Sequence, residues 1–154
     1  MTDEINAEVI NMEFTPLSRI KSREQAFIIA FEMQFQEATV DEIISLSSSA
    51  DKFQISEFAY ELAGGVEKHS KEINDIIEKF SQSWKMNRIS KVSLSLLQIA
   101  VYELLYVDSN SPAATINAVV DLAKKYATQE DAAFINGVLG GVSRSDLLSE
   151  DKKS

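Results

Sequence analysis

Apolar residues recur at steps of three and four along most of this chain, and no stretch alternates with period two for long enough to predict a strand. The pattern predicts an all-α fold of about six to seven helices. Ser18 opens SRIKSREQAFIIAFEMQFQ, where Ala26, Phe27, Ala30, Phe31 and Gln34 fall on one helical face and Arg19 and Arg23 share another at i, i+4. Thr39 with Asp41 and Glu42 supplies a cap and an acidic first turn for a short helix to about Leu46, after which Ser47-Ser48-Ser49 reads as a loop. From Phe53 to Phe80 the same spacing predicts one long amphipathic helix or two nearly continuous ones, with Gly64-Gly65 and Ser70 as places for a bend. Trp84 is expected to plug the junction between two halves. Ser90 then caps a helix to about Val107 that is apolar nearly all round, the pattern of a central buried element in which Glu103 needs a partner.

The stretch Ser111 to Val142 reads as a helical hairpin. Ser111-Pro112 combines a capping hydroxyl with a proline where its missing N–H costs nothing, and Ile116, Val119, Val120, Ala123 and Ala127 form the inner face. Thr128 with Asp131 three residues later is a capping box, and Glu130 and Asp131 place two carboxylates in the positive first turn of the next helix. Asp131, Ile135, Val138, Leu139 and Val142 define that helix's inward stripe. Phe134 falls about 90° off its centre, so it either packs under a neighbouring helix or stands as an exposed stacking platform. Gly137, Gly140 and Gly141 lie off the stripe, which implies a close approach of something to that backbone or an end to the helix.

Composition narrows the function. With 45% hydrophobic residues over 154 positions the chain can bury one substantial core, as a single domain or two small fused helical subdomains. Cysteine is absent and His69 is the one histidine, which removes disulfides, thiolate chemistry and any ordinary metal set, and His69 reads as a surface or boundary residue. No phosphate loop, nucleophile–base pair or paired-carboxylate motif is present, so a binding module without metal or cofactor is expected rather than an enzyme. No apolar run approaches the roughly 20 residues of a membrane span, and a soluble, cytoplasmic protein is expected. The net charge of −9 opposes nucleic-acid binding at first, but four of the acids, Asp3, Glu4, Glu8 and Glu13, sit in residues 1–17 without a Lys or Arg. Arg19, Lys21 and Arg23 follow at once as a basic spot.

Several runs resemble the NusB family of transcription antitermination factors. They are SREQAFIIAFEMQF, EFAYELAGGV, INDIIEKF followed by Trp84 and Arg88, AVYELLY, AVVDLAKKY after Pro112, and FINGVL from Phe134 to Leu139, in the family's order from about Ser18 to Val142. Residues 1–17 lack sustained periodicity and read as a mobile acidic leader, 146–154 read as a polar tail, and the resemblance implies two packed helical subdomains between them, about 18–83 and 84–145. It implies binding to single-stranded boxA-type RNA of ribosomal-RNA transcripts, together with the small-subunit ribosomal protein that acts as NusE, within the RNA polymerase antitermination complex, as a monomer or homodimer. It also implies site residues. Arg19, Lys21 and Arg23 match the family's basic N-terminal motif for RNA contact and Phe134 its RNA-stacking phenylalanine, while Phe31, Glu130 and Ser93 match partner-binding positions. Two positions depart from the family. Ile20 stands where another Arg is frequent, and Ser93 where an acidic residue helps hold the ribosomal partner. Two alternatives remain at this point, a NusB-like RNA-binding appendage in ribosomal-RNA modification and a helical protein–protein adaptor with no RNA role.

Overall fold

The computed structural model of the chain describes residues 14–50, 55–81, 86–108 and 111–149, with the side chains of 47–50 left aside. Among them are seven α-helices and no strand: α1 Arg19–Gln36, α2 Val40–Ala50, α3 Glu57–Lys68, α4 Ser70–Phe80, α5 Lys91–Tyr106, α6 Pro112–Tyr126 and α7 Gln129–Arg144, with a 3₁₀ turn at Met86–Arg88 before α5.

The helix starts lie where hydroxyls precede apolar runs. Ser18, Ser56, Ser90, Ser111 and Thr128 each accept a hydrogen bond from the backbone N–H three residues on. At Thr128 the bond is reciprocated, the Asp131 carboxylate accepting from the Thr128 N–H at 3.2 Å. Two expected boundaries change. Ser47-Ser48-Ser49 lies within α2, so three weak helix formers are carried inside a helix that the acidic first turn starts. The long 53–80 segment breaks at His69, beside Ser70, while Gly64-Gly65 stays helical. Gly65 is there for packing, since a Cβ at that position would fall within the Tyr102 ring of α5. In α7, Gly141 faces the Phe80 ring of α4, as the expected close approach requires, whereas Gly137 faces open space and nothing in the structure explains it.

Helix α5 lies at the centre and packs against α1, α3, α4, α6 and α7. Its Leu96, Leu97, Ile99, Ala100, Val101 and Leu104 are buried. They belong to one apolar cluster that continues through both halves of the chain. The packed body also reaches beyond its expected limits. Phe14 packs on Tyr60 at 5.8 Å and the Thr15 N–H donates to the Ile55 carbonyl at 2.8 Å, so the boundary at residue 17 is too late. Leu148 is buried, so the C-terminal boundary at 145 is too early. Residues 1–13, Phe53 and Trp84 lie outside the described residues.

Candidate nucleic-acid and partner interface

The basic spot divides on folding. Arg19, in the first turn of α1, is exposed and lays its guanidinium 3.8 Å from the centre of the Phe58 ring on α3. Lys21 is exposed. Arg23 is buried, which corrects the expectation that it is an exposed RNA contact. Its Nε donates to Glu103 Oε1 at 2.8 Å and its terminal nitrogen to Oε2 at 2.7 Å, with side chains 6% and 1% exposed. Thr115 Oγ1 donates to the same carboxylate at 2.8 Å. Glu103 thus gains the partner that its place in a buried helix demands, and the planar fork satisfies both carboxylate oxygens at once. This network ties α1 to α5 and α6, so Arg23 positions the helix that presents Arg19 and Lys21.

A second locus forms where α7 meets the start of α5. Glu130 is exposed in the first turn of α7 and Phe134, one turn later, is half-buried against the core, which is the flank position its helical angle predicts. Phe134 and Glu130 line a small depression with Asp131, Ser93, Ser90 and Arg88, so three residues predicted separately from sequence come together. The depression measures about 20 Å³, space for a water and far too little for a ring, so a planar group could meet only the outer face of Phe134. Ser93 Oγ is buried and has no hydrogen-bond partner among the described residues. An unmet hydroxyl of that kind costs about 1–3 kcal/mol, which a ligand group reaching it would recover. Arg88 is the residue here that sequence reasoning left without a role, because the aromatic it stands beside lies on a different element.

Phe31 belongs to a third feature. It sits between Phe27, at 6.3 Å, and Phe35, at 4.8 Å and edge-on, along one side of α1. The same side exposes Ile20 by 68% and Phe35 by 57%, with Ile28 also exposed. An interrupted stripe of large apolar residues, with Ile20, Ile28 and Phe35 exposed around the buried Phe27, marks a surface for another macromolecule. Lys91 Nζ lies 5.2 Å from the Phe35 ring centre at one end of it. Beside the stripe, Lys125 Nζ and the Tyr126 hydroxyl both donate to Glu24 Oε2, at 2.7 and 2.5 Å. The Lys125 ammonium and then the Tyr126 hydroxyl hold the Glu24 carboxyl below its usual range, and the Lys125 ammonium is pushed up in turn.

Among the described residues no group of three or more His, Asp or Glu could hold a metal ion, and no helix is long and apolar enough to cross a membrane. The sequence model of the NusB family matches residues 20–144. The transcription antitermination protein NusB of Acetivibrio thermocellus is 35% identical over 139 residues, covering 88% of this chain and 94% of that protein. Its counterpart from Ruminiclostridium cellulolyticum is 35% identical over 136 residues, covering 87% and 94%. Among solved structures, T. maritima NusB superposes with a TM-score of 0.77 at 26% identity, covering 91% of this chain and 98% of that one. A chain from the crystal structure of antitermination factors NusB and NusE in complex with double-stranded RNA superposes with a TM-score of 0.71 at 28% identity, covering 80% and 94%. With matching sequence over nearly the whole helical body and a matching fold, this chain belongs to the NusB family.

Proposed function

We propose that this chain is a transcription antitermination factor that binds boxA-type single-stranded RNA of ribosomal-RNA transcripts jointly with the ribosomal protein acting as NusE, in the cytoplasm and within the RNA polymerase antitermination complex. The observation that carries the reading is the convergence of Phe134, Glu130 and Ser93 on one rim, with an aromatic face, a carboxylate and an unmet hydroxyl side by side. The outer face of Phe134 stacks an unstacked base, the ordinary means of holding single-stranded RNA. Arg19 and Lys21 meet backbone phosphates, and Arg23 acts through Glu103 to hold their helix. The exposed Ile28 and Phe35, with the half-buried Phe31 beside them, dock the apolar side of the ribosomal protein. Glu130 receives a basic group of that partner and Ser93 a hydrogen bond from it. Support for a joint RNA and partner role also comes from the relatives named transcription antitermination protein NusB and from the similar chain solved with NusE and double-stranded RNA.

The test is a titration at one fixed salt concentration with a boxA-type single strand, a scrambled strand and a duplex, each with and without the ribosomal protein. Tightest binding to the boxA-type strand in the presence of the protein is the expected result. Equal affinity for the scrambled strand would sink sequence recognition, and preference for the duplex would sink the single-stranded reading. Unchanged affinity on adding the ribosomal protein would remove the joint site.

A further inference from the structure

At about 100° per residue, Lys21 lies about 160° around α1 from both Arg19 and Arg23. Those two arginines share the face that meets Phe58 and Glu103. The three cations of the linear motif therefore do not make one patch. Lys21 lies about 60° from Glu24, close enough that its charge also steadies the Glu24 carboxylate. Glu24 in turn draws in Lys125, 101 residues further along the chain. The Lys125 ammonium stands 5.3 Å from the centre of the Tyr126 ring, and that exposed ring rests on Phe27 at 5.0 Å. A basic locus with an aromatic beside it is thus assembled from α1 and the end of α6. Helix α7, which carries Glu130 and Phe134, starts three residues after Tyr126.

We propose that Lys125 and Tyr126 extend the RNA contact of Lys21 from α1 towards Phe134, with the Lys21 and Lys125 ammonium groups receiving backbone phosphates and the open side of the Tyr126 ring lying against a base or ribose. The inference rests on the RNA-binding reading above. Glu24 is the counter-ion that holds Lys125 in position and yields it to a phosphate. Two observations separate this from a purely structural ion pair. The Lys125 and Glu24 side chains are 62% and 24% exposed, and a pair so open to solvent contributes little to folding. The joint between α1 and α6 is already held by Phe27 on Tyr126 and by the buried Arg23–Glu103–Thr115 network.

The experiment uses the full chain with the ribosomal protein and a boxA-type RNA oligonucleotide, titrated over a series of salt concentrations, with the melting temperature of each variant measured alongside. Lys125→Gln should weaken binding about two- to fivefold. Its salt slope should flatten by about 0.7, the loss of one phosphate contact on a single strand. Glu24→Gln should have the opposite sign and strengthen binding, because no carboxylate then competes with the phosphate. Lys125→Gln with the affinity and slope of the unaltered protein would overturn the inference, as would affinity lost only together with the cooperative melt. Phe134→Ala separates the two levels: weakened binding by that variant with Lys125→Gln unaffected leaves the RNA reading standing and removes this contact. No RNA binding by the unaltered protein removes both.

Discussion

Two neighbours on α1, Arg23 and Glu24, each make an ion pair with the C-terminal half of the chain, and the pairs have opposite consequences. Arg23 meets Glu103 in the interior, with Thr115 completing the carboxylate's hydrogen bonds. Glu24 meets Lys125 at the surface, where water competes with every contact. The first pair is locked because breaking it strands a charge without solvent. The second exchanges readily. Charge alone is therefore no guide to role on this helix, and the same formal interaction serves as an internal fastener on one side and as a displaceable contact on the other.

The largest expected effect breaks the buried pair. Arg23→Ala should cost about 3–5 kcal/mol of folding stability, because it leaves the Glu103 carboxylate buried without its guanidinium. Denaturant unfolding checks this, and a loss below about 1 kcal/mol would mean that water reaches Glu103. Replacing both partners, Arg23→Met with Glu103→Leu, should restore much of the loss, since the desolvation cost leaves with the charges.

Next in size is Phe134→Ala, which tests the same contrast with a ring that is neither wholly in nor wholly out. It should cost about 1–3 kcal/mol of RNA binding, the range for one base on an aromatic. Its cost in stability should stay below the roughly 3–5 kcal/mol of a fully buried phenylalanine. A large drop in melting temperature, with RNA affinity preserved in the folded fraction, would place Phe134 in the core instead.

Smaller again is Arg19→Ala. The guanidinium lies over Phe58 at an exposed site, so its removal should cost about 0.5–1 kcal/mol of stability while lowering the salt slope for RNA. Arg19 and Arg23 should thus separate cleanly, one weakening RNA binding and the other weakening the fold.

The smallest effect is a pH dependence at the surface pair. Because the folded Glu24 value lies below its ordinary 4.5, its contribution is present above that pH and is lost as pH falls through the lowered value. Melting temperatures of the unaltered protein and Glu24→Gln should therefore differ slightly above pH 4.5 and converge in stronger acid. Parallel curves throughout would mean that Glu24 titrates alike in the folded and unfolded chain.

Much of the fold was legible because its signals are local. Ser90, Ser111 and Thr128 are read as caps from their immediate neighbours, and each caps in the structure. The all-round apolar run of α5 likewise announces a central helix. Weak local signals misled at Ser47-Ser48-Ser49, where low helix propensity did not stop α2. In the candidate site, Phe134 was placed on the flank of α7 by angle alone, but its nearness to Ser93 and Arg88 could not be read, since those lie on different elements.

By itself the sequence determined the helical class, the capped starts, the inward stripes and the family, because period, capping chemistry and motif order act within a few residues or persist as written order. Tertiary structure decided which charges are usable. Arg23 finds Glu103 across 80 positions and is withdrawn from solvent, while Lys125 crosses 101 positions to stand beside Glu24 near Lys21. The reason is physical: whether a charge is fastened or available depends on the solvent and partners around it, and those are supplied by segments that only folding brings together.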